Sequence, residues 1–346
     1  RAADRAADRA ADRRARPSPS LGEVRVLAAV DKFRGTATAA QVAAAIGHAC
    51  WETGHDCVEL PLADGGEGTL TVLGGANRVS TVTGPLGDPV RAEWRLHRGT
   101  AVIEMARASG LELVGGAENN DALAATTTGT GELIDEALDR GARKIVVCLG
   151  GSATTDGGLG CVRAITSPPR LKRVELLVAC DVETRFVDAA AVFAPQKGAT
   201  AAQVDLLHGR LARLAQMYRE QYGVDVRDTP GSGAAGGLAG ALLALGGRLV
   251  PGFDLVADEL DLHDRVAEAD LVITGEGHLD AQSFAGKVVG GVQRVCAALG
   301  VEVAAVVGGC DPDVRGRIRL VSLIESFGTP RAMRAGSRPC GAPSIT

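Results

Sequence analysis

The 346-residue sequence has few aromatic side chains: phenylalanine, tryptophan and tyrosine together make up 3% of it. Proteins that bind single-stranded nucleic acid stack bases on exposed aromatic rings, so this scarcity argues against that class. The formal net charge of -5 argues against a broad surface for the nucleic-acid backbone. The sequence therefore predicts no nucleic-acid partner, while a local basic site for a small anion stays compatible with it.

Long apolar runs and paired cysteines are missing as well. No stretch approaches the roughly 18 continuous apolar residues of a membrane span, and no signal-peptide pattern is present. The eight cysteines are scattered and form no CxxC pair, which is typical of reduced thiols. These features predict a cytoplasmic protein with no membrane partner.

Two common nucleotide-binding motifs are also missing. No segment matches the Walker A patterns GxxxxGKS or GxxxxGKT. The glycine-rich stretch 228–237 follows only a weak strand and is not a clean GxGxxG fingerprint. The motifs therefore support neither a P-loop NTPase nor the dinucleotide-binding fold, which makes a dehydrogenase an unfavoured alternative.

Glycine is abundant, with 46 residues, and hydrophobic residues make up 46% of the chain. This composition allows a sizeable core, and the length favours two domains because single cores rarely exceed roughly 300 residues. Apolar strands alternate with helical segments over most of the chain, which is typical of α/β proteins. The repeats of 1–20 have no apolar stripe, so we predict a disordered extension there.

The most informative stretch is 144–160, KIVVCLGGSATTDGGLG. An apolar run ends at Gly150 and Gly151 and is followed by Ser152, Thr154 and a second glycine pair. Glycines after a strand let backbone N–H groups approach an anion closely, and a following helix N-terminus adds partial positive charge. The stretch predicts phosphate or carboxylate binding, and a tight turn with nothing bound is the alternative. A similar glycine-rich segment with a serine occurs again at 228–237.

Acidic and basic residues follow several predicted strands. The strand 24–30 leads into Asp31 and Arg34, and the strand 57–62 leads into Asp64 and Glu67. Ligands of open α/β sheets bind at the carboxyl ends of strands, and carboxylates on a flexible backbone suit Mg²⁺. In each case helix capping and solvated surface charge are the alternatives.

The second half of the chain repeats this arrangement. The strand 175–179 ends near Asp181, and a turn supplies Lys197, which we predict to be exposed. The strand 270–274 runs into a loop with four polar residues of interest: Glu276, Asp280, Ser283 and Lys287. The two carboxylates could hold Mg²⁺, with the lysine opposing phosphate charge.

The intervening segments predict a change of architecture. Residues 80–105 alternate like antiparallel strands and mark the start of a second domain. Thr166 to Arg173 contains two prolines and three basic residues and is interpreted as a connector. A last strand is predicted over 320–324, and Glu104 at the end of a strand is equally compatible with a site residue and an edge charge.

Ten stretches together resemble the bacterial glycerate kinases of the glycerate 2-kinase type, in the order of that family and across roughly 24–332. They are DKFRGTATA, LADGGEGT, VTGPLGDPV, VIEMARASGLELV, TTTGTGELI, GGSATTDGG, VACDV, FAPQKGAT, PGSGAAGG and ITGEGHLDAQSFAGK. The resemblance implies ATP-dependent phosphorylation of D-glycerate at O2 with Mg²⁺, and it allows a homodimer. A cleft between two domains would hold both substrates.

The fold implied by the resemblance is α/β, with a Rossmann/flavodoxin-like domain and a second mixed α/β domain inserted into it. We place the first domain at 21–75 and 260–334, the insertion at 76–259, and an irregular tail at 335–346. The sequence departs from the family at Val30, at a connector 166–173 that is shorter, and after Met333. The shorter connector and the altered tail leave a catalytically impaired binding homologue as an alternative. A kinase that forms 3-phosphoglycerate is a second alternative, because the sequence does not give the phosphorylated hydroxyl.

On this basis we assign roles to the residues above as a hypothesis. Asp31, Arg34, Asp181 and Lys287 are the candidate catalytic residues, and Glu276 and Asp280 the candidate Mg²⁺ ligands. Asp64, Glu67, Lys197 and Ser283 are assigned to substrate binding. The residues assigned to ATP phosphates are Gly150, Gly151, Ser152, Thr154, Gly231, Ser232, Gly233 and Gly236.

Overall fold

The computed structural model describes residues 24–329. The predicted extension 1–20 and tail 335–346 lie outside the described residues. Within the described range the chain forms two compact units, one made of 24–64 with 253–329 and the other of 65–252. The predicted domain boundaries fall later in the chain than these divisions, and they stay a prediction. Among residues 24–329, no helix combines the length and the apolar character needed to cross a bilayer.

The described residues form eleven strands: β1 Arg25–Val30, β2 Asp56–Pro61, β3 Arg78–Thr83, β4 Pro89–His97, β5 Thr100–Glu104, β6 Lys144–Cys148, β7 Glu175–Ala179, β8 Arg248–Val250, β9 Leu271–Leu279, β10 Glu302–Cys310 and β11 Arg319–Ser322. Their helices are α1 Ala39–Glu52, α2 Thr69–Val72, α3 Ala106–Ser109, α4 Thr128–Asp139, α5 Leu159–Ala164, α6 Ala189–Phe193, α7 Ala201–Tyr222, α8 Leu238–Ala244, α9 Gly252–Glu259, α10 Leu262–Glu268, α11 Val288–Leu299 and α12 Leu323–Phe327. Short 3₁₀ turns cover Glu112–Val114, Ala117–Asn119, Pro168–Arg173, Phe186–Asp188, Pro195–Lys197, Ala234–Gly237, Gln282–Phe284 and Pro312–Val314.

The first unit contains a parallel sheet in the order β11-β10-β9-β1-β2. Counted along this unit alone, the order is 2-1-3-4-5, which is the flavodoxin-like arrangement. Residues 26–30 of β1 are buried on both faces, as a central parallel strand requires. The strand order reverses between β1 and β9, so ligands are expected at the carboxyl ends of these two strands.

Strand β9 is longer than the sequence predicts. The predicted strand ended at Thr274 and a loop followed, whereas β9 continues to Leu279 and pairs with β10 as far as Cys310. Glycine is needed at position 275 for this pairing, because a Cβ there would lie 2.1 Å from the carbonyl oxygen of Val306. The predicted loop is therefore wrong at this point, and Glu276 projects from a strand. The predicted strand 320–324 ends at Ser322, where α12 begins.

The second unit contains a mixed sheet in the order β3-β4-β5-β6-β7-β8. Strands β3, β4 and β5 pair antiparallel, which confirms the prediction for 80–105, and β5 to β8 pair parallel. A large core that includes Trp94, Ile145 and Tyr218 packs the helices on this sheet. The protein thus consists of two α/β units, with the second inserted between β2 and β9 of the first, as predicted.

Candidate active site

A cavity of about 330 Å³ lies at the carboxyl ends of β1 and β9 in the first unit. The residues that follow β1 are held beside β9 at this edge of the sheet, where the N–H of Asp31 donates to the carbonyl oxygen of Gly275 at 2.9 Å. The lining residues are Asp31, Lys32, Phe33, Arg34, Thr36, Asp64, Glu276, Gly277, His278, Asp280, Lys287, Gly308, Leu323 and Ile324. The fold therefore brings together Asp31, Arg34, Asp64, Glu276, Asp280 and Lys287, which the sequence predicted separately.

Two carboxyl groups in this cavity hold their protons unusually well. Burial, reinforced by the charge of Asp64, raises the pKa of Asp31 to about 6, although the N–H of Lys32 donates to it at 2.7 Å. Burial also raises the pKa of Glu276 to about 7, with the charge of Asp31 adding to the shift and that of Lys287 opposing it. Carboxyl groups with such pKa values can exchange a proton near neutral pH.

Asp280 differs from these two residues, because a tight turn stabilises its ionised carboxylate. Its backbone N–H donates to the Ser283 hydroxyl at 3.0 Å, and its carboxylate accepts from the Ser283 N–H at 2.9 Å. Burial alone would raise the pKa of Asp280, but these hydrogen bonds and the charge of Lys287 hold the pKa below its ordinary value. Ser283 is buried, and its hydroxyl is used within this turn. Its predicted contact with substrate stays a prediction.

The residues of the cavity fit the Mg²⁺ ion that the resemblance implies. Glu276 Oε1 is buried with no hydrogen-bond partner among the described residues. It lies among the carboxylates of Asp31 and Asp280, whose charges raise its pKa. Within residues 24–329 no group of three or more His, Cys, Asp or Glu side chains is arranged to hold a metal ion. Glu276 and Asp280 are the residues that would hold Mg²⁺, which proteins bind through one or two carboxylates together with substrate phosphates.

The glycine-rich loop after β6 lies in the second unit and has the features of an anion site. Gly151 has a φ of 61° and is exposed. The carbonyl of Gly151 accepts from Leu111, and the N–H of Ala153 donates to Ser109. Within residues 24–329, the backbone N–H groups of Gly150, Gly151 and Ser152 have no hydrogen-bond acceptor. Consecutive free N–H groups in a turn can form a binding site for the oxygens of a phosphate group.

Lys197 is buried, and the predicted exposed lysine is therefore wrong. Its side chain is 3% exposed, and Nζ donates to Ser152 Oγ at 2.7 Å and to the Thr154 carbonyl at 2.6 Å. Burial lowers the pKa of Lys197 to about 7, with the charge of Asp156 opposing this. The lysine fixes the shape of the loop that follows β6, and its contact with substrate stays a prediction.

The third glycine-rich loop, 231–237, differs from the loop after β6. The N–H of Ser232 donates to Thr229, and that of Gly233 donates to Thr184. The Ser232 hydroxyl donates to the carbonyls of Val226 and Thr229. Because these donors are already used, the geometry favours packing over the predicted phosphate contact.

Neighbouring backbone lies so close to this loop that glycine is needed in it. A Cβ on Gly236 would lie 2.0 Å from the carbonyl oxygen of Thr154, and Gly231, Ser232, Gly233 and Gly236 are all buried. The loop therefore supports the 150–158 loop from behind. Its assignment to ATP phosphates stays a prediction.

The remaining predicted residues lie in the second unit as well. Asp181 is exposed and accepts from the N–H of Gly252 at 2.7 Å. Glu67 is exposed in the loop before α2. Their assignments, to catalysis and to substrate binding, stay predictions.

Sequence reasoning missed the part played by Glu104. It is 2% exposed, and its Oε1 accepts from the N–H groups of Gly68 and Leu70 at 2.9 and 2.8 Å. It thus binds the N-terminus of α2 and fixes the loop that carries Glu67. His278, which lines the first-unit cavity and pairs with Asp311 at 2.9 Å, was also missed. Its position two residues after Glu276 on the same strand was the signal available.

Replacing Glu104 by alanine is expected to lower the free energy of unfolding by about 2–4 kcal/mol, because the buried N–H of Leu70 and the part-buried N–H of Gly68 lose their acceptor and a void is left. The matched control is Glu93→Ala. Glu93 contacts the same Arg107 at 3.3 Å but is 51% exposed, so we expect a loss below about 1 kcal/mol. Urea unfolding measures both variants, and equal losses would contradict the capping role.

The flavodoxin-like order, the acidic cavity at its switch point and the free N–H groups after β6 define an α/β enzyme that handles anions. The sequence model described as the Glycerate kinase family matches residues 26–168 and 166–328. Glycerate 2-kinase of Escherichia coli K12 is 39% identical over 351 residues, which cover 88% of this chain and 92% of that protein. Glycerate kinase of Bacillus subtilis 168 is 40% identical over 330 residues, covering 84% and 86%.

A solved structure agrees with these sequence relatives. The crystal structure of a protein assigned as glycerate kinase 2 from Salmonella typhimurium LT2 has a TM-score of 0.76 and 34% identity. The match covers 91% of this chain and 96% of that one. The chain belongs to the glycerate kinase family and is a kinase, as the resemblance of the ten stretches indicated.

Proposed function

We propose that the chain transfers the γ-phosphoryl group of ATP to O2 of D-glycerate and releases 2-phosphoglycerate and ADP. The observation that carries this proposal is the cavity at the end of β1 and β9. It places Asp31, Glu276, Asp280 and two basic residues, Arg34 and Lys287, around one space large enough for a small organic acid. Phosphoryl transfer depends mainly on positioning and charge neutralisation, and this set supplies both.

In this proposal Asp31 accepts the proton of the reacting hydroxyl, since its raised pKa of about 6 lets it take up a proton near neutral pH. Lys287 lies close enough to Asp31 and Glu276 to shift both pKa values, so its ammonium can oppose charge on the transferred phosphoryl group. Arg34 is exposed at the cavity and is assigned to the carboxylate of glycerate. When bound by Glu276 and Asp280, Mg²⁺ would neutralise phosphate oxygens.

The second unit supplies the phosphate-binding loop in this proposal. The free N–H groups of Gly150, Gly151 and Ser152 bind phosphate oxygens of ATP. Lys197 holds Ser152 and Thr154 and thereby keeps these donors in place. Since the donors are preorganised by buried contacts, little entropy is lost when phosphate binds.

The test is a coupled assay with ATP, Mg²⁺ and D-glycerate, in which enolase, pyruvate kinase and lactate dehydrogenase are added and phosphoglycerate mutase is left out. Enolase accepts only the 2-phosphate, so the expected steady oxidation of NADH reports both the kinase activity and the position of the phosphate. ADP formation without this signal would assign the product as the 3-phosphate and overturn the O2 position. No ADP from folded protein would overturn the substrate and favour a binding protein without turnover.

A further inference from the structure

A second cavity, of about 490 Å³, lies in the inserted unit on the side of the 150–158 loop formed by Thr155 and Asp156. Three arginines line it: Arg163 at the end of α5, and Arg210 and Arg213 on the same face of α7. None of the predicted site residues lines this cavity. All three arginines are exposed to solvent, so an anion can reach their guanidinium groups.

The charges around this cavity are not balanced by the protein. Arg210 Nη1 donates to the carbonyl of Leu123 at 2.9 Å, which fixes its position at the cavity wall. Arg163 and Arg213 have no ion-pair partner within residues 24–329. The only carboxylate in the lining belongs to Asp156.

The single negative charge of Asp156 cannot balance three guanidinium groups, and its carboxylate is held in place by hydrogen bonds from residues 127–160. One oxygen accepts from both the N–H and the hydroxyl of Thr127, at 2.9 and 2.8 Å. The two oxygens also accept from the N–H groups of Gly158 and Gly160, at 3.0 and 3.1 Å. The cavity therefore keeps an excess of positive charge, and the guanidinium groups of Arg163 and Arg213 make no hydrogen bond within residues 24–329.

We propose that this arginine cavity, defined by Arg163, Arg210 and Arg213, binds a phosphate-bearing anion. Guanidinium groups bind phosphate oxygens in pairs, and phosphate carries enough charge to satisfy two or three of them. The ligand contacts the wall that contains Thr155 and Asp156, which continue directly into the loop held by Lys197.

The experiment is calorimetric titration of the full chain with pyrophosphate in the absence of glycerate, comparing wild type with the double variant Arg163→Gln/Arg213→Gln. We expect wild type to bind and the double variant to bind roughly tenfold to hundredfold more weakly, as the loss of charge-assisted contacts predicts. The matched control is Arg219→Gln on the same helix, outside the cavity and paired with Asp225. It should bind like wild type.

Competition distinguishes the two sources of a phosphate-bearing ligand. If a non-hydrolysable ATP analogue displaces pyrophosphate from wild type, the cavity belongs to the donor nucleotide. If pyrophosphate binding survives saturating analogue, the cavity takes a separate small organic phosphate. Unchanged binding in the double variant, or no binding to folded wild type, would overturn the proposal. These results do not depend on kinase activity, so the inference can fail while the proposed function holds.

Discussion

Replacing Lys287 by alanine is expected to lower kcat/KM for glycerate by roughly 10²- to 10³-fold, the loss seen when one preorganised charge-stabilising donor is removed. Lys287 is the N-cap residue of α11 and lines the cavity at the ends of β1 and β9. Its charge lowers the pKa values of Asp31, Glu276 and Asp280. Without it, the acids repel one another more strongly, and the charge that develops on the phosphoryl group loses a lysine that opposes it.

Two further variants separate this effect from helix destabilisation. Lys287→Arg keeps the charge but changes its geometry, so we expect partial activity. Arg294→Ala removes another basic side chain of α11, one that pairs with Asp254 outside the cavity, and we expect it to keep wild-type kcat/KM. Steady-state kinetics measures all three variants. If Lys287→Ala retained full activity while folded, the assignment of Lys287 would be wrong.

Replacing Glu276 by glutamine is expected to have opposite effects on stability and activity. In the unfolded chain Glu276 ionises near its ordinary pKa of 4.5, whereas burial raises its pKa to about 7 in the folded protein. Between these values the folded state holds the proton more tightly, so this group makes the protein less stable as pH rises across the window. Above about pH 7 the whole penalty is present, and the glutamine variant should be more stable than wild type by about 3 kcal/mol.

The pH dependence makes this prediction specific. Well below pH 4.5, Glu276 is protonated in both the folded and the unfolded state, so the stability difference should vanish, and at about pH 5 only a small part of it is present. Urea unfolding at about pH 5 and about pH 8 measures it, and Glu302→Gln, an exposed position on the neighbouring strand, is the control with no expected change. Activity at the higher pH should fall by roughly 10²-fold because a carboxylate of the site is lost. If the stability gain of Glu276→Gln over wild type were no larger at about pH 8 than at about pH 5, the claim that Glu276 is buried in its charged form at high pH would be contradicted.

The first unit shows how far the sequence could lead. Asp31 and Glu276 each follow an apolar run, and parallel strands end at a common edge, so their proximity was predictable. The extent of β9 was not, because glycines are typical of loops when only neighbours in sequence are considered. Gly275 is required by the approach of the Val306 carbonyl on β10, a strand that lies some thirty residues further along the chain.

The two glycine-rich loops of the second unit give the same lesson in another form. Both 150–152 and 231–233 combine glycine with serine, and the sequence predicted phosphate binding by both. The two loops differ in their hydrogen-bond acceptors. The carbonyl oxygens of Thr184 and Thr229 accept hydrogen bonds from N–H groups of the second loop. Lys197 was likewise predicted to be exposed because the residues next to it are turn formers, whereas its partners lie at Ser152 and Thr154. Hydrogen-bond partners distant in sequence decide such cases.

The central claim is phosphoryl transfer to O2 of D-glycerate, and the product itself tests it most directly. The protein is incubated with ATP, Mg²⁺ and D-glycerate, and a phosphorus–proton correlation NMR spectrum of the mixture is recorded. The account predicts a new phosphomonoester whose phosphorus couples to the single proton on C2 and which grows as ATP is consumed. Coupling to the two protons on C3, or ATP consumption that does not require glycerate, would contradict it.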